Sequence, residues 1–98
     1  MTPEDVIFKL GQLLPSEIAR LMQDSGVKAL RTCSSACAVT QYVYDETKMV
    51  GIRTGYDSLY YGPELQAVEL PSSVQTFISL FDDGFFPELD AEHPMNQE

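Results

Sequence analysis

Three observations in the sequence predict an α+β domain. Apolar residues recur at helical spacing from Val6 to Val43, the period drops to two between Met49 and Leu70, and helical spacing returns from Val74 to Phe81. The predicted order is three N-terminal helices, a small three-stranded antiparallel meander and one C-terminal amphipathic helix. Helices placed before and after a meander segregate from it in space, so their apolar stripes pack on one face of the sheet. At 98 residues and 44% hydrophobic content the chain can build a single core without disulfides or a metal. The expected organisation is one compact domain over 1–89 and a flexible acidic tail over 90–98, a polar, Pro-interrupted stretch with too little apolar surface to offset the entropy of ordering.

The first helix is expected to start at Pro3. Thr2 supplies an N-cap hydroxyl, Pro3 lacks the N–H that the first turn leaves unpaired anyway, and Glu4 and Asp5 complement the positive end of the helix dipole. Val6, Ile7, Leu10, Leu13 and Leu14 follow on one stripe, with Gly11 as an early stop. Leu14-Pro15-Ser16-Glu17 opens the second helix, whose inner face is Ile18, Leu21, Met22 and Ser25 and whose end is a left-handed cap at Gly26. Thr32 to Ala38 are seven consecutive small residues. Ser34 or Ser35 is the expected cap of a third helix, with Ala36, Val39, Thr40 and Val43 facing inward.

Strands are expected over Met49–Thr54, Leu59–Tyr61 and Leu65–Leu70, separated by the turn-rich segments Gly55-Tyr56-Asp57-Ser58 and Gly62-Pro63. Alternation places Tyr60 and Tyr61 on opposite faces, one of them in the core. Leu70-Pro71-Ser72-Ser73 starts the fourth helix, Val74, Phe77, Ile78 and Phe81 form its stripe, and Gly84 stops it.

Charge is directional along the chain. Residues 1–49 hold five Lys/Arg against six Asp/Glu, whereas residues 54–98 hold nine acids and no Lys or Arg, within a total of −9. Such a field repels phosphate backbones and anionic lipid and attracts basic protein surfaces, which excludes nucleic acid and membrane as expected partners. No apolar run approaches the roughly 18 residues of a membrane span. With two cysteines and an N-terminus that does not read as a leader, the expected location is the cytoplasm.

No catalytic, cofactor or metal site is expected. The one histidine, His93, falls in the tail, so a Ser or Cys nucleophile lacks a positioned imidazole base. Cys33 and Cys37 with His93 make at most three soft ligands, and the Gly55 and Gly62 neighbourhoods match neither a calcium loop nor a phosphate-binding loop. Cys33, near a helix start, could carry a lowered pKa, but a small buried hydrophobe is the ordinary role of a free cysteine.

The segment Gly26-Val27, the small-residue stretch leading into Ala38-Val39-Thr40-Gln41-Tyr42-Val43, and Val68-Glu69-Leu70-Pro71 through Phe81-Asp82-Asp83-Gly84 to Pro87-Glu88-Leu89 resemble a group of small proteins of actinobacteria and their phages. The resemblance spans roughly residues 15–90. It implies a source and a fold and names no catalytic residue.

The candidate binding surface lies at the fourth helix and its exit. Asp82 and Asp83 sit where the helix dipole disfavours negative charge, the outward residues Ser72, Ser73, Gln75, Thr76, Ser79 and Leu80 are uncharged, and Phe85 and Phe86 follow at a turn. At least one of Phe85 and Phe86 is expected to seal the core; Leu80, the other of Phe85 and Phe86, and the rim of Asp82 and Asp83 then make an apolar patch with an acidic edge, the anatomy of a protein interface. Tyr56, on a tight turn, heads a competing patch. The expected function is a protein-interaction module or regulator, a possible phage-encoded modulator of a host protein, docking its acidic half on a basic or mixed protein surface; a homo-oligomer is also compatible. The alternatives are a nucleic-acid mimic occupying a DNA-binding cleft and a thiol-dependent redox protein.

Overall fold

The computed structural model describes residues 2–31 and 37–91, and within them the predicted order of elements holds. Four helices, α1 (Pro3–Gly11), α2 (Pro15–Asp24), α3 (Ala38–Thr47) and α4 (Ser72–Asp82), accompany an antiparallel sheet of β1 (Arg53–Thr54), β2 (Ser58–Tyr61) and β3 (Gln66–Glu69) in the order β1-β2-β3. A 3-10 turn at Pro87–Leu89 closes the chain onto α2.

Local chemistry accounts for the helix starts. Thr2 and Asp5 exchange hydrogen bonds of 3.2 Å between each side chain and the other's backbone N–H, a reciprocal cap on α1. At α2 the Glu17 carboxylate reaches back to accept from the Leu14 N–H at 2.9 Å. The α1 stripe stops at Gly11, where an added Cβ would sit 2.6 Å from the Pro71 ring, so glycine lets the end of α1 approach the start of α4.

The core joins both layers. Val6, Ile7 and Leu10 of α1, Ile18 and Met22 of α2, Val39, Tyr42 and Val43 of α3, and Val74, Phe77 and Phe81 of α4 are all buried together with Leu59 and Tyr61 of β2. Helix α4 packs against α1, α2 and α3, while the sheet meets α1 through β3 and α3 through β1. Within the core a buried Thr40–Thr54 hydroxyl pair at 2.7 Å fastens α3 to β1, and the Tyr61 hydroxyl donates to the Glu4 carboxylate at 2.6 Å.

Several boundaries differ from the sequence expectation. The first strand is only Arg53–Thr54, because Gly51 adopts φ of 78° and breaks the extended backbone that alternation from Met49 implies. The third begins at Gln66, since Leu65 has φ 50° and closes the turn on the Gly62 carbonyl. Helix α3 starts at Ala38 with Cys37 as its N-cap; Ser34, Ser35, Cys33 and Ala36 lie outside the described residues.

Asp90 is not part of a loose tail. It is buried, pairs with the Arg31 guanidinium at 3.1 Å, and belongs to a parallel bridge in which Ala29 donates to Leu89 and accepts from Ala91. Residues 92–98, the rest of the expected tail, lie outside the described residues.

Candidate functional site

The structure merges two patches that the sequence keeps apart. Tyr56, on the turn between β1 and β2, stands over the C-terminal half of α4, and with Gln75, Ile78, Ser79, Asp82 and Asp83 it lines a cleft of about 160 Å³. The four α4 residues from Gln75 to Asp82 follow i, i+3, i+4, i+7, one stripe of the helix beside the buried Val74-Phe77-Phe81 stripe.

The turn that carries Tyr56 is fixed at several points. Gly55 N–H donates to the Ser58 carbonyl at 2.7 Å, and Leu70 N–H, two residues ahead of α4, donates to the Asp57 carbonyl at 2.9 Å. Gln75 reaches the same place, its side-chain amide donating to the Leu70 carbonyl at 2.8 Å. An added Cβ at Gly55 would lie 3.1 Å from the Tyr60 ring, so that aromatic closes over the turn from behind. Tyr56 itself is 92% exposed, an aromatic surface held on a fastened turn.

Among the described residues, the charged groups lining the cleft have one sign. Asp82 is half-buried and Asp83 exposed, and both stand at the C-terminal end of α4, the negative end of the helix dipole. The field of Asp82 reaches Cys37 at the start of α3. Burial, with a smaller push from Asp82, drives that thiol from 9.0 up to about 11, so it stays protonated at neutral pH and has the character of a core residue. Arg31 lies against Gly84, where an added Cβ would be 2.9 Å from its guanidinium, and its Nε is engaged by Asp90.

The other proposed residues separate. Leu80 is half-buried and lies about 140° round the helix from Gln75 at roughly 100° per residue, away from the cleft. Phe86 stacks on Phe77 with ring centroids 5.3 Å apart and is half-buried, so it is the one of the two phenylalanines that flanks the core. Phe85 is 65% exposed at the turn after α4 but does not line the cleft. Tyr61 is the core member of the tyrosine pair and Tyr60 the outward one. Gln75 and Ser79 belong to the uncharged outer face expected of this helix, whereas Ile78, expected in the core stripe, is half-buried and also lines the cleft.

Two other concavities differ in kind. One of about 620 Å³ along α2 is lined by Leu13, Ser16, Glu17, Arg20, Leu21 and Asp24 and so mixes charge signs, and one of about 260 Å³ beside Tyr44, Met49 and Val50 has, among the described residues, no charged lining side chain. Among the described residues no three His, Cys, Asp or Glu side chains are grouped to hold a metal ion, and no helix is long and apolar enough to cross a membrane. Comparison of the chain with protein-family models, curated proteins and solved structures finds no match.

Proposed function

We propose that this protein is a small acidic interaction module that docks on a basic protein surface through the cleft between Tyr56 and the C-terminal half of α4. The observation that carries the reading is the convergence of an almost fully exposed aromatic with two carboxylates on a fastened backbone. Aromatic area and an acidic rim are what a charged partner needs for contact and for steering. Residues 54–98 contain no Lys or Arg, so the half of the sequence that builds the cleft offers such a partner attraction of one sign.

The test is affinity capture from the source cell with wild type, Tyr56→Ala, Asp83→Lys and Phe85→Ala. The same protein should be retained by wild type and depleted several-fold by the first two variants. Phe85→Ala should retain it, since Phe85 lies outside the cleft. Equal capture by wild type and the two cleft variants would reject the proposal.

A further inference from the structure

Resting on the docking role just proposed, we infer that the cleft receives the side chain of an arginine from a basic segment of the partner. Size makes the first selection. Pockets for small organic ligands run to about 300–1,000 Å³, whereas a cleft of about 160 Å³ has room for one long side chain. Its lining makes the second, because among the described residues every charged group in it is a carboxylate, and the helix terminus beneath them is negative as well.

The aromatic wall separates arginine from lysine. A guanidinium is planar, less strongly hydrated than an ammonium, and stacks on an aromatic face while its N–H groups address carboxylates in a fork. Tyr56 supplies the face, and Asp82 and Asp83 supply acceptors on the opposite element. Gln75 directs one of its two amide N–H donors to the Leu70 carbonyl, which orients the side chain, and its amide oxygen adds a further acceptor. Ile78 gives the aliphatic stem of the incoming side chain an apolar surface.

The turn is held by hydrogen bonds from Leu70 and Gly55, which lowers the ordering cost that exposed aromatic contacts usually carry. The nearby cation Arg31 does not fill the role, since its guanidinium is engaged by Asp90 and it is not among the lining residues.

The experiment is a ¹H–¹⁵N shift titration of the full chain at low salt with acetyl-Gly-Arg-Gly-amide, and with peptides carrying lysine or uncharged citrulline at the centre. Saturable shifts are expected at Tyr56, Asp57, Ser79, Asp82 and Asp83, with arginine about threefold tighter than lysine from its stacking on the ring. Citrulline should bind at least about tenfold more weakly, because charge-assisted bonds are lost. Tyr56→Ala should erase the preference for arginine over lysine, and Asp83→Asn should weaken both. Equal binding of arginine and citrulline, or arginine shifts spread over Glu64 and Glu69 without saturation at the cleft, would overturn the inference.

The two readings fail separately. Partner capture that depends on Tyr56 and Asp83 without any arginine-peptide response at the cleft removes the arginine assignment and leaves the docking role. An arginine response at the cleft with capture indifferent to those residues supports the arginine site and removes the docking role.

Discussion

Replacing Phe77 by alanine removes a ring with no solvent exposure, stacked between Phe81 at 6.3 Å and Phe86 at 5.3 Å. Deletion of a fully buried phenylalanine costs about 3–5 kcal/mol in lost transfer energy and residual cavity. Domains of this size have a total stability of about 5–15 kcal/mol, so the variant should remain only marginally folded. At about 4–8 °C per kcal/mol its Tm should fall by more than about 12 °C. Phe86→Ala removes a half-buried ring and its stacking contact with Phe77, for about 1–2.5 kcal/mol. Phe85→Ala should stay within about 0.5 kcal/mol of wild type, as exposed substitutions do. Urea unfolding followed by far-UV circular dichroism gives the three midpoints, with unchanged m showing that the change is one of stability. A Phe77→Ala cost below about 1 kcal/mol, or equal costs for Phe85→Ala and Phe86→Ala, would refute the packing described. The ranking bears on function, because a binding loss in Phe86→Ala mixes with core damage and one in Phe85→Ala does not.

Gly84→Ala should destabilise by about 1–2 kcal/mol, since φ of 87° disfavours a side chain there and the new Cβ would press on Arg31; chemical denaturation checks it, and a neutral result contradicts the backbone geometry. Cys37 gives an alkaline signature. Its folded pKa is raised from 9.0 to about 11, so between those values the unfolded chain has lost a proton that the folded chain keeps, and stability falls as pH rises through that window by on the order of 2–3 kcal/mol. Cys37→Ala should flatten that part of the pH profile, and an unchanged slope would show the thiol does not carry it. A gel shift at low salt with duplex and single-stranded DNA should show no retarded band, because phosphate contacts need cations that residues 54–98 lack; a salt-sensitive band would contradict the charge reading.

Helix starts were legible because their determinants are local: Thr2 with Asp5, and Leu14-Pro15 with Glu17, act within one turn. The core stripe of α4 was legible for the same reason. Alternation overstated β1 because period-two spacing is blind to backbone sign, and it is the positive φ at Gly51 that interrupts the extended run. Asp90 reads as tail by composition, yet its fate is set by Arg31 and Ala29, far upstream. The candidate site was half visible. Asp82, Asp83 and Tyr56 stand out in the sequence, but their meeting depends on the hydrogen bond from Leu70 to Asp57, a contact no spacing rule contains. That one of Phe85 and Phe86 seals the core was legible, but two adjacent phenylalanines at a turn do not reveal which one finds the Phe77 ring.

The most direct measurement of the docking claim is the association and dissociation kinetics of the captured partner on wild type, Tyr56→Ala and an Asp82→Lys/Asp83→Lys double variant at low and high salt. Charge reversal at the rim should slow association at low salt and lose most of its effect at high salt, whereas Tyr56→Ala should chiefly speed dissociation at both. Rates unchanged by all of these substitutions, in variants that keep wild-type stability, would contradict a binding surface built on Tyr56 and the end of α4.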